Sequence, residues 1–237
     1  MKYGSDLITM SKKEKVLGWV YLPIHIFILP ILLPFAIIYL YRQGIDISDA
    51  QFNLVYYLCG FLFLGIALMG YLRENFRRFC DNISDSLRSI MVGIIFYYTA
   101  TYCVNFILGF FVTDLVNPNT DAVIDTVKEN ARPMFAVAVL LAPIVEETLF
   151  RGVIFGNIRT KNRILAYVIS AVAFSFYHLW QYLLIDYEWK LLLLYTLQYL
   201  PASIMLAKCY EDSGNLWSPI FMHMTINFVA ILVSQYA

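Results

Sequence analysis

Apolar residues fill most of the chain in long stretches that few charged residues interrupt. A helix that crosses a membrane needs about 20 mostly apolar residues. Seven segments reach that length, at about 16–41, 52–72, 89–113, 133–157, 163–185, 190–208 and 216–236. The pattern predicts an all-α fold, a polytopic transmembrane helical bundle of about seven spans with no soluble domain between them.

Two polar connections predict shorter helices. After the second span, apolar residues recur at three- and four-residue steps between charged ones, at Phe76, Phe79, Ile83, Leu87 and Ile90. This spacing predicts an interfacial amphipathic helix at 74–88, which is a candidate gate; the alternative is a plain juxtamembrane linker. The longest polar connection, about 114–131, has a turn signal at Asn117-Pro118-Asn119 and predicts one short helix over 121–130.

Composition supports the membrane interpretation and argues against a soluble domain or a nucleic-acid-binding protein. Hydrophobic residues make up 60% of the chain and charged residues 14%, whereas soluble domains average about 45–50% and about 25%. The formal net charge is +0 and no dense basic run is present, so we expect no nucleic-acid partner. The four cysteines are scattered without metal-ligand spacing, and we expect free thiols.

The distribution of Lys and Arg predicts the orientation in the membrane. With the N-terminus inside, twelve basic residues fall on the cytoplasmic side of the seven spans and four on the other side, at Arg42, Lys128, Arg132 and Lys190. Cytoplasmic loops of membrane proteins carry such an excess of basic residues. We therefore expect a multi-pass protein of the cell membrane with a cytoplasmic N-terminus.

The fourth span contains charged residues that are costly inside a bilayer. A charged group at mid-membrane costs at least roughly 2.5–3.5 kcal/mol, so such residues are functional candidates. Glu147 and Arg151 are four residues apart, in the order that pairs well on a helix. Glu146 points about 100° away around the helix and remains free to react.

Two of the three histidines lie at a similar depth to these carboxylates. His178 follows Phe174 by one turn in the fifth span, and His223 precedes Asn227 by one turn in the seventh. Helix geometry places Glu146, His178 and His223 roughly 18, 22 and 12 Å from the cytoplasmic ends of their helices. We expect the three spans to pack around a polar cavity. His25 lies alone in the first span, and we expect it to form a hydrogen bond between helices rather than to take part in catalysis.

This set of side chains suits hydrolysis of a peptide bond. In one version, Glu146 and His178 activate a water molecule, and His223 with Asn227 donates hydrogen bonds to the oxyanion. In a second version, a divalent metal such as zinc sits on Glu146, His178 and His223. The structural alternative is a Glu147–Arg151 helix pair, with His223 and Asn227 joining helices by hydrogen bonds.

Three motifs resemble those of a known family, the type II CAAX prenyl proteases, also called CPBP or Abi intramembrane proteases. Its E-E-x-x-x-R motif is similar to residues 146–151, its F-x-x-x-H motif to Phe174–His178 and its H-x-x-x-N motif to His223–Asn227. The glycine that often follows the first motif is present as Gly152. The resemblance covers about residues 133–236.

The resemblance implies a helical bundle around a water-filled cavity that opens towards the cytoplasm and lipid. It implies that Glu146 and His178 activate water, that His223 and Asn227 form the oxyanion site, and that Glu147, Arg151 and Phe174 support them. Members are described both as metalloproteases and as metal-free glutamate proteases, and the sequence does not decide between these. The chain then divides into N-terminal spans with the interfacial helix (1–131) and a catalytic core (132–237), together one membrane domain.

The expected partners are membrane lipid and a hydrophobic, sometimes lipidated, peptide or protein substrate. Bacterial members of the family are linked to bacteriocin processing or immunity, so a non-catalytic immunity or scaffold protein is the first alternative. A transporter or proton relay, which also buries glutamates and histidines, is the second. Transporters usually carry internal repeats and interrupted helices, and neither is evident in the sequence.

Overall fold

The computed structural model describes residues 7–112, 117–185 and 188–234. Lys2, the start of the 114–131 connection and the last residues of the predicted seventh span lie outside these ranges. In chain order the described residues form nine helices: α1 (Lys12–Arg42), α2 (Asp49–Ala67), α3 (Met69–Asp81), α4 (Ile83–Leu108), α5 (Pro118–Glu129), α6 (Ala131–Arg159), α7 (Arg163–Leu179), α8 (Trp189–Ser213) and α9 (Trp217–Ser234). A short 3-10 helix, Trp180–Ile185, extends α7.

Seven of these helices are long and apolar enough to cross a membrane, namely all except α3 and α5. The predicted all-α bundle of about seven spans is thus confirmed, and the protein is a multi-pass membrane protein. Large apolar side chains are exposed along the outer faces of the spans, for example Phe35, Ile66 and Phe106. Such exposure is what lipid, rather than water, stabilises.

Local capping signals explain where several helices begin and end. Ser11 and Glu14 form a reciprocal capping box at the start of α1, and Ser48 and Gln51 form another at the start of α2. At the other end of the chain, Gly214 closes α8 with a left-handed backbone (φ 67°), a conformation that only glycine adopts at low cost. These caps allow short connections, so consecutive spans run in opposite directions.

Helix α6 is the centre of the bundle. In its most apolar 18-residue window 61% of the residues are buried, against 44% or less in the other six spans. Its residues Leu149, Phe150, Val153 and Phe155 are fully buried in the largest hydrophobic cluster. The first sequence motif therefore lies on the helix that the other spans surround.

The two ends of the bundle are marked by the two short helices. At the α3 end, the backbone N–H of Tyr71 donates to Glu14 at the start of α1, at 2.7 Å. At the α5 end, Val127 packs with Ala50, Met134 and Ile231, from α2, α6 and α9. The connections between α6 and α7 and between α8 and α9 lie at the α3 end.

The interfacial amphipathic helix is present, but its predicted bounds of 74–88 are wrong. Helix α3 begins at Met69 and ends at Asp81. The last three residues of the apolar stripe, Ile83, Leu87 and Ile90, belong to α4, which begins at Ile83. Asn82 separates the two helices: its backbone is not helical (φ −127°, ψ 45°), and its side chain donates to the carbonyl of Arg78 at 3.2 Å. Asparagine side chains compete with the helical ladder in this way.

The predicted short helix over 121–130 is observed as α5, which starts three residues earlier. Asn117 accepts hydrogen bonds from the backbone N–H groups of Asn119 and Thr120, at 3.1 and 3.4 Å. Pro118 then occupies the first helical turn, where its missing N–H costs nothing. The turn signal in the sequence is thus the helix cap itself.

The α3 end is held by buried polar contacts. Asn75 is fully buried, accepts from the backbone N–H of Leu216 at 2.8 Å and donates to the carbonyl of Tyr71 at 2.9 Å. The phenols of Tyr71 and Tyr210 are 2.8 Å apart. Burial, and next the neighbouring Tyr210, raises the pKa of Tyr71 well above its usual range, so the Tyr71 phenol stays neutral.

Replacing Asn75 tests how much this anchor contributes. Asn75→Ala leaves the buried N–H of Leu216 without its acceptor, which costs about 1–3 kcal/mol. We expect a lower unfolding free energy in detergent, measured by thermal or denaturant unfolding. Glu74→Ala on the same helix removes only an exposed pair with Arg77 and should change stability by about 0.5 kcal/mol or less. Equal effects of the two changes would contradict the anchoring role.

Candidate active site

The first motif lies between two widened segments of α6. Residues Ala136–Leu141 and Thr148–Phe155 are π-helical, and the glutamate pair closes the α-helical turn Ala142–Glu147 between them. In a π turn the hydrogen bonds skip one further residue, and such turns occur frequently at functional sites. The local geometry of α6 is therefore irregular on both sides of Glu146 and Glu147.

Glu147 is a buried junction between two helices. Its Oε1 accepts from Nη1 of Arg151 at 2.9 Å and from Nδ1 of His223 on α9, also at 2.9 Å. The side chains of Glu147 and Arg151 are completely buried. A buried carboxylate is retained at low cost only when it is paired in this way. Glu147 thus fixes the position of His223 relative to α6.

Arg151 extends this junction to α7 and α8. Its Nη2 donates to the carbonyl of Ser203 at 3.1 Å and contacts Oγ of the same residue at 3.3 Å. Its guanidinium carbon lies 4.4 Å from the ring centroid of Phe174. This is the geometry of a cation–π contact. Arg151 and Phe174, two of the predicted supporting residues, therefore touch each other.

The hydrogen bonds of the two histidines determine which ring nitrogen carries a proton. Nδ1 of His178 lies 2.8 Å from the carbonyl oxygen of Phe174. A carbonyl oxygen and the Glu147 carboxylate can only accept, so we assign the proton to Nδ1 in both rings. In their neutral forms, His178 and His223 each have an unprotonated Nε2. Those two atoms are available to accept a proton or to bind an ion.

Both Nε2 atoms face the same oxygen of Glu146. Nε2 of His178 lies 3.7 Å from Oε2 of Glu146, and Nε2 of His223 lies 3.9 Å from it. The structure therefore brings together three of the four residues expected to be catalytic. Both distances exceed a hydrogen bond. One water oxygen placed among these three atoms would lie close to all of them.

Asn227, the fourth expected residue, lines the same cavity but is held differently. Its Nδ2 donates to the carbonyl of Ala138 at 2.8 Å, within the first π-helical segment of α6. One of its two amide hydrogens is thereby used, and the other remains for a ligand. The amide is positioned by α6 rather than by its neighbour His223.

A group of tyrosines is linked to Glu146 through Tyr57, and the sequence interpretation missed it. The Tyr57 hydroxyl on α2 donates to Oε1 of Glu146 at 2.7 Å. It also lies 3.1 Å from the Tyr177 hydroxyl, which is 3.4 Å from Nε2 of His25. His25 is fully buried and stacks on Tyr56, with ring centroids 4.4 Å apart. It does join helices, as expected, but through tyrosines that lead to Glu146.

The site opens into a cavity of about 800 Å³. From Glu146, His178 and His223 at mid-depth, the lining continues only towards the α5 end, along the following described residues: Asp49, Asn53, Asn105, Asn117, Thr120, Gln181 and Ile231. The cavity thus lies between the catalytic candidates and the short helix α5.

The opposite end of the bundle is closed. Between Glu146 and the α3 end lie fully buried apolar side chains, including Leu149, Phe155 and Ile220. Beyond them, Glu211 accepts from Arg159, from Arg163 and from the Tyr167 hydroxyl. Helix α3 packs at this closed end, away from the cavity. That position argues against the hypothesis that α3 gates access.

Two expectations from the sequence therefore disagree. The family resemblance implies a cavity that opens towards the cytoplasm. The excess of basic residues implies that the α3 end is cytoplasmic, and the cavity opens at the other end. The geometry of the site is the same in either orientation.

The comparison with protein families finds a match to one part of the chain. Residues 128–229 match the family model described as type II CAAX prenyl endopeptidase Rce1-like. Over this region, which is less than half of the chain, the sequence is similar to the Rce1-like family. The match contains Glu146, His178, His223 and Asn227, and it ends before the C-terminal turns of α9.

Two curated relatives are similar to part of the chain. The Bacillus subtilis (strain 168) protein named "Putative membrane peptidase YdiL" is 36% identical over 117 residues, which cover 48% of this chain and 42% of that protein. The Lactococcus lactis subsp. lactis (strain IL1403) protein named "UPF0177 protein YxdF" is 31% identical over 88 residues, 37% of this chain and 42% of the relative. The chain thus spans less than half of each relative. No solved structure gives a significant match to the chain.

Breaking the Glu147 junction should destabilise the core of the bundle. Glu147→Ala leaves the fully buried Arg151 without its counter-charge, which costs about 3–5 kcal/mol. We expect a large fall in unfolding free energy, measured in detergent.

The matched control removes both charges. Glu147→Leu combined with Arg151→Met replaces the pair with apolar groups, and it should recover most of the lost stability because no unpaired charge remains. If the double variant is as unstable as Glu147→Ala, the charge pair is not what stabilises this core.

Proposed function

We propose that this protein is an intramembrane endopeptidase of the Rce1-like family in which Glu146 and His178 activate a water molecule. The observation that carries the proposal is the convergence of the Nε2 atoms of His178 and His223 on Oε2 of Glu146, at 3.7 and 3.9 Å, in a cavity with room for a peptide. The family description, which names an endopeptidase, supports the reaction class.

The proposed reaction begins with a water molecule bound by Glu146 and by Nε2 of His178. Glu146 takes one proton from the water, and the water oxygen attacks the carbonyl carbon of the substrate. Collapse of the tetrahedral intermediate breaks the C–N bond, and Glu146 returns the proton to the leaving amine. The products are a carboxylic acid and an amine.

The oxyanion of the intermediate needs hydrogen-bond donors. Asn227 supplies the amide hydrogen that Ala138 does not use. His223 donates from Nε2 when that atom also carries a proton, and the Glu147 carboxylate at its Nδ1 balances the added charge. Glu147 and Arg151 thereby support the reaction by position, without touching the substrate.

A metal-dependent version of the site uses the same residues. Two imidazole Nε2 atoms and a carboxylate are a donor set that suits zinc, and the unprotonated Nε2 atoms of His178 and His223 fit that requirement. Within the described residues, however, no three such side chains are grouped as closely as around a bound ion. A zinc ion held by Glu146, His178 and His223 would supply Lewis-acid activation of the water.

The proposed substrate is a hydrophobic, or lipidated, peptide or membrane-associated protein. Aromatic and aliphatic side chains line much of the cavity, among them Phe52, Tyr97, Val137 and Ile226. The family description, which names a prenyl endopeptidase, agrees with an apolar substrate.

We also propose that the N-terminus is cytoplasmic. Among the described residues, eleven Lys and Arg residues lie at or near the α3 end and four at the α5 end. The eleven are Lys12, Lys13, Lys15, Arg73, Arg77, Arg78, Arg88, Arg159, Lys161, Arg163 and Lys208. An asymmetry of this size sets the orientation of most membrane proteins.

A cleavage assay with purified protein tests the enzymatic proposal. Glu146→Gln keeps the shape of the side chain but removes the base, so kcat should fall at least about 100-fold. The unfolding free energy should stay near that of the wild type. The assay uses a pool of short hydrophobic and prenylated peptides in detergent, with and without a chelator. Loss of cleavage with the chelator, and its return with zinc, would identify the metal-dependent version.

Two outcomes would reject the protease. If the wild type cleaves no peptide, or if Glu146→Gln cleaves as fast as the wild type, Glu146 is not the base. Full cellular function of Glu146→Gln together with no cleavage would favour a non-catalytic immunity or scaffold protein of the same family.

The contact between Tyr57 and Glu146 generates a separate prediction. Tyr57→Phe removes the hydroxyl that orients the carboxylate, a hydrogen bond to a charged group worth about 1.5–3 kcal/mol. We expect kcat to fall about tenfold or more, with KM nearly unchanged, in steady-state assays.

Tyr56→Phe is the matched control for Tyr57. The Tyr56 hydroxyl bonds to the carbonyl of His25 and lies 3.2 Å from Tyr177, but it does not touch Glu146. Its loss should lower stability more than kcat. A similar fall in kcat for both variants would mean that the tyrosine cluster acts through packing alone.

A further inference from the structure

The mouth of the catalytic cavity lies at the end of the bundle that is poor in basic residues. The cavity includes the first turns of α2, the last turns of α4 and one face of α5. Arg42, Lys128, Arg132 and Lys190 are the basic residues at this end among those described, whereas eleven lie at the closed end. By the positive-inside rule, the cavity mouth faces away from the cytoplasm.

The side chains at the mouth are mainly amides. Nδ2 of Asn117 donates to Oε1 of Gln198 at 3.1 Å, and Nε2 of Gln198 donates to Oδ1 of Asn105 at 3.1 Å. Nδ2 of Asn119 donates to the Tyr199 hydroxyl at 3.0 Å. Each amide carries both donors and acceptors. The donors and acceptors that these contacts leave unused can pair with the N–H and C=O groups of an extended peptide backbone.

The charges in the lining are few and of one sign. Among the described lining residues there is no Lys or Arg, and the acidic ones are Asp49 and Glu146. An acidic substrate side chain carried to the depth of Glu146 would lose its hydration without a basic partner. A basic one would pair with Glu146 and compete with the water that Glu146 activates. The cavity therefore suits a segment without charged side chains near the cut bond.

From these observations we propose that the site takes an uncharged, extended peptide segment that enters from the non-cytoplasmic side of the membrane. The substrate part of this inference rests on the proposed protease function. The access part rests only on the position of the mouth and on the orientation. The substrate is thus an exported or membrane-spanning chain that presents a flexible segment outside, not the cytoplasmic tail of a protein.

Cysteine labelling in spheroplasts tests the access side without any need for activity. In a background with Cys59, Cys80 and Cys103 replaced by Ser, the buried Cys209 remains. Thr120→Cys and Asn53→Cys place single thiols in the cavity lining, and Lys161→Cys places one at the closed end. A membrane-impermeant maleimide should label the first two variants in intact spheroplasts, and Lys161→Cys only after permeabilisation.

The reverse labelling pattern would overturn the proposal, because it would place the mouth in the cytoplasm. Labelling of Thr120→Cys without labelling of Asn53→Cys would also overturn it, since the cavity would then not be connected to that side. The Glu146→Gln variant, labelled at the same positions, should behave like the active protein. The access result is therefore independent of catalysis.

A cleavage experiment tests the substrate chemistry. Peptides of equal length, one uncharged and two with a single Asp or Lys beside the cut bond, are added to right-side-out and to inverted vesicles. We expect the uncharged peptide to be cut in right-side-out vesicles only, and both charged ones at least about tenfold more slowly. Equal rates for the three peptides, or cleavage only in inverted vesicles, would overturn the proposal. Failure of the protease itself would show differently, as no cleavage of any peptide by the wild type in detergent.

Discussion

A single buried carboxylate organises the core of the bundle. Oε1 of Glu147 accepts hydrogen bonds from Arg151 on its own helix and from His223 on α9, and Arg151 continues the contact to Ser203 on α8. A charge inside a lipid-embedded bundle is costly unless it is paired. The three helices are therefore fixed around one charge, and the distance between His223 and Glu146 follows from it. The neighbouring Glu146 is left to face the cavity.

Much of this arrangement could be predicted from the sequence because it depends on length and on local spacing. Seven apolar segments of membrane-spanning length give the bundle, and the four-residue step from Glu147 to Arg151 gives their ion pair. The common depth of Glu146, His178 and His223 indicates that their helices should meet. These features need only the rise and the periodicity of a helix.

Other features depend on contacts between distant parts of the chain, or on local backbone changes that the apolar pattern does not record. Tyr57 lies 89 residues from Glu146 in sequence, and as one of 18 tyrosines it carries no motif that singles it out. The π-helical turns that bring the Ala138 carbonyl to Asn227 have no sequence signature either. Asn82 ended the interfacial helix early because one polar side chain competed with the helical ladder, although the apolar stripe continued past it.

The closed end of the bundle has a consequence for turnover. With fully buried residues such as Phe155 and Ile220 on one side of Glu146, the described part of the cavity extends from Glu146 in one direction only. A long chain cannot be threaded through such a cavity, so the proposed substrate would enter as a bend or as a free end. Both fragments of the proposed cleavage would then leave by the route of entry. In the proposed protease, fragment release rather than bond cleavage would therefore limit turnover.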